Sequence, residues 1–404
     1  MGNQNYKNKI IAISGEPVSG KGTTVKILIE KLKEKGFKEE NIYLKTSGQE
    51  FRRYFNSIIE LILNLDNSEK AKELSERKEL INFFNKKDSG KILSETIIDL
   101  KNKNIDLSNF TIGQANEAKE FKKIRNIVDS LIDDDMKRQG EEINKEEHPE
   151  EVWIMDSRLA FYNIPEAFSI RLTSNSKVAG ERLFNDNKRG NEDHYKTIEE
   201  AIKERENRRI SENNRYMEKY NIDLKDENNY DLIIDTSYSK PEDIADTIIQ
   251  CSELYYENKD FAKKWASPKI FLPMQNERLT FGQTLMTRDL TEMISNINKN
   301  GYYADSPIEI YEVDGKKFIS EGHHRNFALG YLGKTLIPYE EIAKDDEFIP
   351  GSKTSAKNMA KGLNLTDLYG HEDILIHGYE TFSYEDIYPE LIDDLINKKE
   401  SPER

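Results

Sequence analysis

Apolar residues in this chain follow two patterns. Short unbroken runs predict buried strands: Ile10–Ile13, then those within NIYLKTSG, EEVWIMDSR, AFSIRLT and YDLIIDTS. Elsewhere Ile, Val and Leu recur at three-to-four spacing, as in KKIRNIVDSLIDDDMKRQGEEI, which predicts amphipathic helices. In order, the chain reads strand, a glycine loop from Gly15 to Thr23, a helix through Leu32, then a strand around NIYLKTSG. A polar helical stretch from about Phe55 to Asn109 follows, then long amphipathic helices, then two strands. Ser176 to Tyr220 is helical and dense in arginine, and YDLIIDTS leads into a last helix, KPEDIADTIIQCSELYY. Strands alternating with helices predict an α/β fold: a parallel sheet with helices on both faces and a site at the carboxyl ends of its strands.

The pattern breaks at NKDFAKKWASPK, so residues 256–270 read as a linker. Beyond it come a helix at LTEMISNINKNG, strands at PIEIYEV and KFIS, and EGHHR opening another helix. The expected organisation is a first domain over 1–255 with a helical insertion at about 56–109, and a smaller α+β domain over 271–404 ending in an acidic helical tail. No internal repeat is visible.

Composition narrows the function classes. The 404 residues carry a formal net charge of -15, which disfavours broad binding to nucleic acid or anionic membranes. The single cysteine, Cys251, rules out a disulfide framework within one chain and reads as a small buried residue on a helix. No run of about 18 apolar residues occurs, and MGNQNYKNK carries no long apolar signal segment. The expectation is a soluble, cytoplasmic protein.

The sharpest chemical signal is IIAISGEPVSGKGTT. Its spacing Gly15-x-x-x-x-Gly20-Lys21, between a strand and a helix, is that of a phosphate-binding loop. Glycines let successive N–H groups turn toward an anion, Lys21 adds a mobile charge, and the helix N-terminus faces the same phosphates. Gly15, Ser19, Gly20, Lys21, Gly22, Thr23 and Thr24 are therefore expected to hold a nucleoside triphosphate. Gly22 stands where most such loops place Ser or Thr, so Thr23, or a water it holds, is the expected contact to Mg²⁺. This Gly-Lys-Gly-Thr ending resembles monophosphate kinases of the adenylate kinase type.

Further along, TSGQEFRRYF, WIMDSRLAFY, ERLFNDNKRG and a helix with spaced arginines supply more phosphate-binding groups. Asp156 ends a strand, where it suits Mg²⁺ through water, and Arg158 follows it. Arg208, Glu212 and Arg215 recur on one helix face. With TSGQEFR, IMDSRLA and ERENRRISENNRYMEKYNIDLKDENNYDLIIDTS, residues 8–250 resemble cytidylate kinase, most closely its archaeal-type branch. The resemblance implies phosphoryl transfer from ATP to CMP or dCMP, with Mg²⁺. It implies that Ser47, Arg208 and Glu212 face the pyrimidine, and that Arg52, Arg158 and Arg215 hold the acceptor phosphate. Lys188 and the lid arginines Arg182 and Arg189 would close over the transferring group. Ser157 departs from the family's usual glycine.

From Pro273 on, the order helix, Asn-Gly break, strand, hairpin and EGHHR resembles the ParB/sulfiredoxin-like fold. That resemblance implies a phosphate site at Glu321, Gly322, His323, His324 and Arg325, and with it a second nucleotide. His323 stands in place of the cysteine that sulfiredoxin chemistry needs. The acidic continuation after residue 354 disfavours the DNA binding of partition proteins. A free-serine-kinase-like role stays open through Glu321. Two other readings of the chain also stay open: a phosphate-loop kinase with another small acceptor, and a nucleotide-binding regulator without turnover.

Overall fold

The computed structural model describes residues 8–105, 118–185, 195–273, 291–302 and 304–362. It is an α/β chain organised in two compact units. The first comprises the chain through Val18, Gly36–Ile170 and Ser176–Tyr230; the second comprises Ser19–Lys35, Arg171–Asn175 and the chain from Asp231.

In the first unit, strands β1 (Lys9–Gly15), β2 (Ile42–Thr46) and β3 (Val152–Asp156) pair in parallel, with β3 central. The register sets Ile13 and Thr46 opposite Asp156, so the carboxyl ends of all three strands form one row. Ile10, Ala12 and Met155 pack with Met136 and Ile143 of helix α6 (Lys122–Ile143) and with Ile164 after the short α7 (Ala160–Asn163). Asn8 fixes the far end of this layer, donating to the carbonyls of Ile143 (2.6 Å) and Glu146 (2.8 Å). On the edge strand, Tyr43 stacks on Trp153 with ring centroids 4.1 Å apart.

Helix α2 (Ser47–Leu63) starts directly at the end of β2 and runs unbroken through Phe55. The stretch read as an insertion holds the end of α2, then α3 (Ser68–Ser75), α4 (Lys78–Phe84) and α5 (Ser89–Asn102). These helices share a core with the first half of α6: Phe55, Ile58, Leu80, Phe83, Phe121 and Val128 are all fully buried. Each such phenylalanine contributes about 1.5–3 kcal/mol over leaving it exposed, so this helical module has its own source of stability. Helices α8 (Ser176–Asn185) and α9 (Ile198–Tyr220) pack closely where Gly180 meets Ile202. Strand β4 (Phe168–Thr173) carries the chain from the first unit into the second.

In the second unit, α1 (Lys21–Glu34) packs on α10 (Pro241–Tyr256), and Lys31 meets Asp246 at 2.8 Å. Cys251 of α10 is buried, and burial pushes its thiol pKa up. Strand β5 (Leu232–Asp235) pairs in parallel with β6 (Lys264–Ala266). The stretch read as a linker thus contains a strand paired on both sides, because β10 (Ile337–Lys344) pairs antiparallel with β6. Trp265 of β6 is buried and donates to the Ala262 carbonyl at 2.9 Å. Next in order come β8 (Ile308–Val313), β9 (Lys316–Glu321) and β7 (Phe271–Pro273). Asp314 and Gly315, with φ 49° and 77°, make the tight β8–β9 turn, a two-residue hairpin that needs positive φ at both positions. Helices α11 (Thr291–Asn300) and α12 (His323–Tyr331) cover this part, and α13 (Ala356–Gly362) follows β10.

Strand and helix expectations on both sides of the break are met where the chain is described. Lys188 and Arg189, and the acidic tail with the final LIDDLINKKESPER, lie outside the described residues. Among the described residues, no helix is long and apolar enough to cross a membrane.

Candidate functional site at the strand ends

The loop leaving β1 at Gly15 turns sharply before α1. Val18 adopts φ 63° and Gly20 φ 77°, the latter as the N-cap of α1. A left-handed β-branched residue is uncommon and needs support from its surroundings. The Gly20 carbonyl accepts from the amides of Thr23 and Thr24, both at 3.0 Å, which starts the helix. No acidic residue sits in the first turn of α1, so its positive dipole end is not cancelled locally. Lys21 is half-buried on this turn, Thr23 is exposed and Thr24 buried. Ser19 is 1% exposed, and its hydroxyl meets no hydrogen-bond partner among the described residues.

The motif YDLIIDTS braces the same loop within the second unit. Thr236 donates its hydroxyl to the Ser19 carbonyl at 2.9 Å. Asp235 accepts from the Ser237 amide at 2.8 Å, and the Ser237 hydroxyl accepts from the Asn175 amide at 2.8 Å.

Within the first unit, several expected site residues converge on the strand-end row. Asp156 is 7% exposed at the tip of β3. Ser47, the first residue of α2, donates to the Asp156 carbonyl at 3.2 Å. That bond ties α2 to β3, a structural task beside the expected contact with a base. Ser14 is buried and donates to the Ser157 carbonyl (3.0 Å), with the Arg158 carbonyl also in range (3.1 Å). Ser157 itself accepts from the Leu159 amide at 3.4 Å, capping the turn after β3. Arg158 then pairs with Glu212 of α9 at 3.1 Å. These two residues, far apart in sequence, do come together.

Arg215 sits one turn further along α9. It meets Asp129 of α6 at 3.5 Å and lies 5.0 Å from the Tyr216 ring centroid. Burial works against its charge, yet Tyr216, Asp129 and Glu212 outweigh burial and hold its pKa above the ordinary value. Burial raises the Asp129 and Asp133 carboxyls and lowers Lys219, and Tyr220 hydrogen-bonds Asp133. Sequence reasoning missed this second layer of Asp129, Asp133, Tyr216, Lys219 and Tyr220. The available signal was two i,i+4 pairs, Asp129/Asp133 on α6 and Arg215/Lys219 on α9.

The remaining arginines divide. Arg52 is exposed on α2, with its guanidinium lying back over Gly48. Its neighbour Arg53 bridges Glu50 and Glu79, both at 2.6 Å, beside a cavity of about 160 Å³ between α2, α4 and α6. Arg208 lies half-buried on α9, and Arg182 half-buried on α8. A further arginine, Arg205, was not singled out by the sequence. It is 1% exposed and reaches the glycine loop, within 2.5 Å of Glu16 and 3.4 Å of the Pro17 carbonyl. Its signal was periodicity: it follows Ala201 by four residues on the buried stripe of α9.

In the second unit, Gly322 has φ 102° and caps α12, and an added Cβ would stand 2.5 Å from Ile308. Only glycine fits there. Arg325 donates to the carbonyls of Ser306 (2.9 Å) and Pro307 (3.0 Å), so its guanidinium stitches the junction together. Burial, then the neighbouring His324, lower the His323 pKa. Glu321 is exposed at the end of β9. Elsewhere, His148, Glu150 and Glu151 place potential metal-ligand atoms within 4.8 Å of one another, but Glu151 already accepts from the Trp153 indole at 3.1 Å.

No protein-family model matches the sequence. Over 157 residues the chain is 28% identical to an S-adenosylmethionine-dependent nucleotide dehydratase of Lacinutrix mariniflava, covering 39% of this chain and 29% of that protein. Over 48 residues it is 44% identical to a cytidylate kinase of Thermoplasma volcanium, covering 12% of this chain and 25% of that one. The chain thus spans less than a third of the length of either relative. Both relatives are enzymes named for nucleotide chemistry.

Proposed function

We propose that the chain is an ATP-dependent kinase of a nucleoside monophosphate, with CMP or dCMP as acceptor. The observation that carries this reading is the strand-end row: β1 feeds its Gly-x-x-x-x-Gly-Lys loop from the same edge at which Asp156 and α2 begin the acceptor side. The short, 44% identical stretch shared with a cytidylate kinase supports it.

On this reading Gly15, Ser19, Gly20, Lys21, Gly22, Thr23 and Thr24 hold the donor phosphates, Lys21 through its charge and the two threonines through their hydroxyls, since their amides serve the Gly20 carbonyl. Thr23 and Asp156 are the residues that would hold Mg²⁺, which supplies charge neutralisation between the donor phosphates. Arg52, Arg158 and Arg215 take the acceptor phosphate, while Ser47, Arg208 and Glu212 face the base. Arg182 and Arg189 close over the transferring group. Phosphoryl transfer asks mainly for positioning and positive charge, and arginine's planar fork supplies both. The Arg158–Glu212 pair preorganises one such fork.

A second acceptor class is favoured by one observation: Asp129 pairs with Arg215, which adds a carboxylate to the acceptor side beyond what the family resemblance implied. For the chain from 271 on, a second nucleotide would have to rely on His323, His324 and the α12 amides, since Arg325 is committed to carbonyls.

The test is ADP release from ATP and Mg²⁺ by the purified protein, screened over CMP, dCMP, UMP, AMP, GMP and free serine. Turnover restricted to CMP and dCMP is expected; turnover with another acceptor would transfer the reading to that compound. Lys21→Ala is expected to lower kcat at least 100-fold without lowering the melting temperature, because its role is electrostatic stabilisation of the moving phosphoryl group. Full activity in that variant would end the phosphate-loop reading.

A further inference from the structure

Arg205 is among the largest fully buried side chains of the protein, and it spends its charge on the glycine loop. From the middle of α9, Nη2 pairs with Glu16 at 2.5 Å and Nε donates to the Pro17 carbonyl at 3.4 Å. Its other nitrogen, Nη1, donates to the Ser176 hydroxyl at 3.2 Å and pairs with Glu206. Glu206 in turn accepts from Ser176 at 2.6 Å and pairs with Arg209 at 2.8 Å. Each of these partners lies in the first unit.

Two features make this more than a brace between α8 and α9. Glu16 places a carboxylate in a loop whose composition suits a polyanion, and an uncompensated negative charge there would oppose the ligand. Val18, next in line, holds φ 63°, a conformation a β-branched residue keeps only where its neighbours over-determine it. Arg205 answers both needs, neutralising Glu16 and fixing the two residues that precede Val18.

We propose that Arg205 is a positioning residue of the donor site: it cancels the charge of Glu16, holds Glu16–Val18 in the triphosphate-binding shape, and links that loop to the helix bearing Arg208, Glu212 and Arg215. The proposal rests on the reading of Gly15–Thr23 as a phosphate loop.

The experiment measures Mg²⁺·ADP affinity by calorimetry, beside thermal melting, for wild type, Arg205→Met, Glu16→Gln and the double variant. Arg205→Met removes the Arg205–Glu16 ion pair and is expected to weaken ADP binding about tenfold or more. Adding Glu16→Gln to that background is expected to recover at least threefold of the loss, because the opposing charge is gone. Equal losses in the single and double variants would reduce Arg205 to a packing role and overturn the proposal, as would ADP affinity within twofold of wild type in Arg205→Met. If Arg205→Met does not fold, Arg205→Lys keeps the charge and loses the fork. Weakened binding in a stable Arg205→Lys protein supports the proposal, and unchanged binding overturns it. Absence of ADP binding by the wild type is a separate outcome: it ends the phosphate-loop reading and the Arg205 proposal with it.

Discussion

Glu206 shows how strongly the arginines of α9 act on their neighbours. Burial disfavours its charge, but hydrogen bonds from Ser176, Arg205 and Arg209 overcome burial and hold its pKa at about 2, against an ordinary 4.5. A carboxyl lowered in the folded state contributes stability that is complete above pH 4.5 and is lost as pH falls toward 2. Asp129 and Asp133 run the other way, since burial raises them: their contribution is complete below the ordinary 3.8 and is lost as pH rises through their folded values. The whole-protein pH profile mixes these slopes. Comparing urea midpoints of wild type and Glu206→Gln between pH 5 and 2 isolates the first, and the wild type is expected to lose more stability across that window. At this scale the sequence was half legible. Arg158 and Glu212 could be nominated because each stood in a recognisable motif. Arg205 had only its spacing from Ala201: an arginine amid ERENRR otherwise reads as solvated surface, and its partner Glu16 lies 189 residues away.

Among the elements, helices α8 and α9 make a close contact. A Cβ on Gly180 would stand 2.2 Å from Cγ1 of Ile202 and 3.1 Å from its Cα. Gly180→Ala should therefore destabilise the protein by about 1–3 kcal/mol of overpacking, despite the better helix propensity of alanine. Thermal melting checks the sign, and Ile202→Ala in the same chain is expected to restore part of the loss. The strands were readable because each is a short apolar run whose burial is decided locally, as in the VWIM of β3 and the LII of β5. Two boundaries were not. Helix α2 crosses residue 56 without a break because Phe55, Ile58 and Ile59 continue the apolar stripe begun before the expected insertion. β6 was hidden because three residues, KWA, give no periodicity, and only β5 and β10 on either side make them a strand.

At the level of the whole molecule, we propose that the portion through residue 255 needs sequence beyond it. A fragment ending there loses β6, and with it the pairing of Ile233 with Lys264 and Ile234 with Trp265. Unpaired strand edges favour aggregation, so residues 1–255 are expected to melt lower or aggregate relative to the full chain. Light scattering and calorimetry of the two would decide, and equal stability would restore the simpler boundary read from the sequence. The chain also passes between the two units five times, at 18/19, 35/36, 170/171, 175/176 and 230/231. This repeated passage gave no sequence signal, since no composition change marks it. It has an optical consequence, because the two tryptophans fall one to each unit: Trp153 in the first, stacked on Tyr43, and Trp265 buried in the second. Replacing either with phenylalanine leaves a protein whose tryptophan emission belongs to a single unit. Trp265 should fluoresce blue and bright, and Trp153 redder and partly quenched, giving each half of the fold its own colour in a stopped-flow trace.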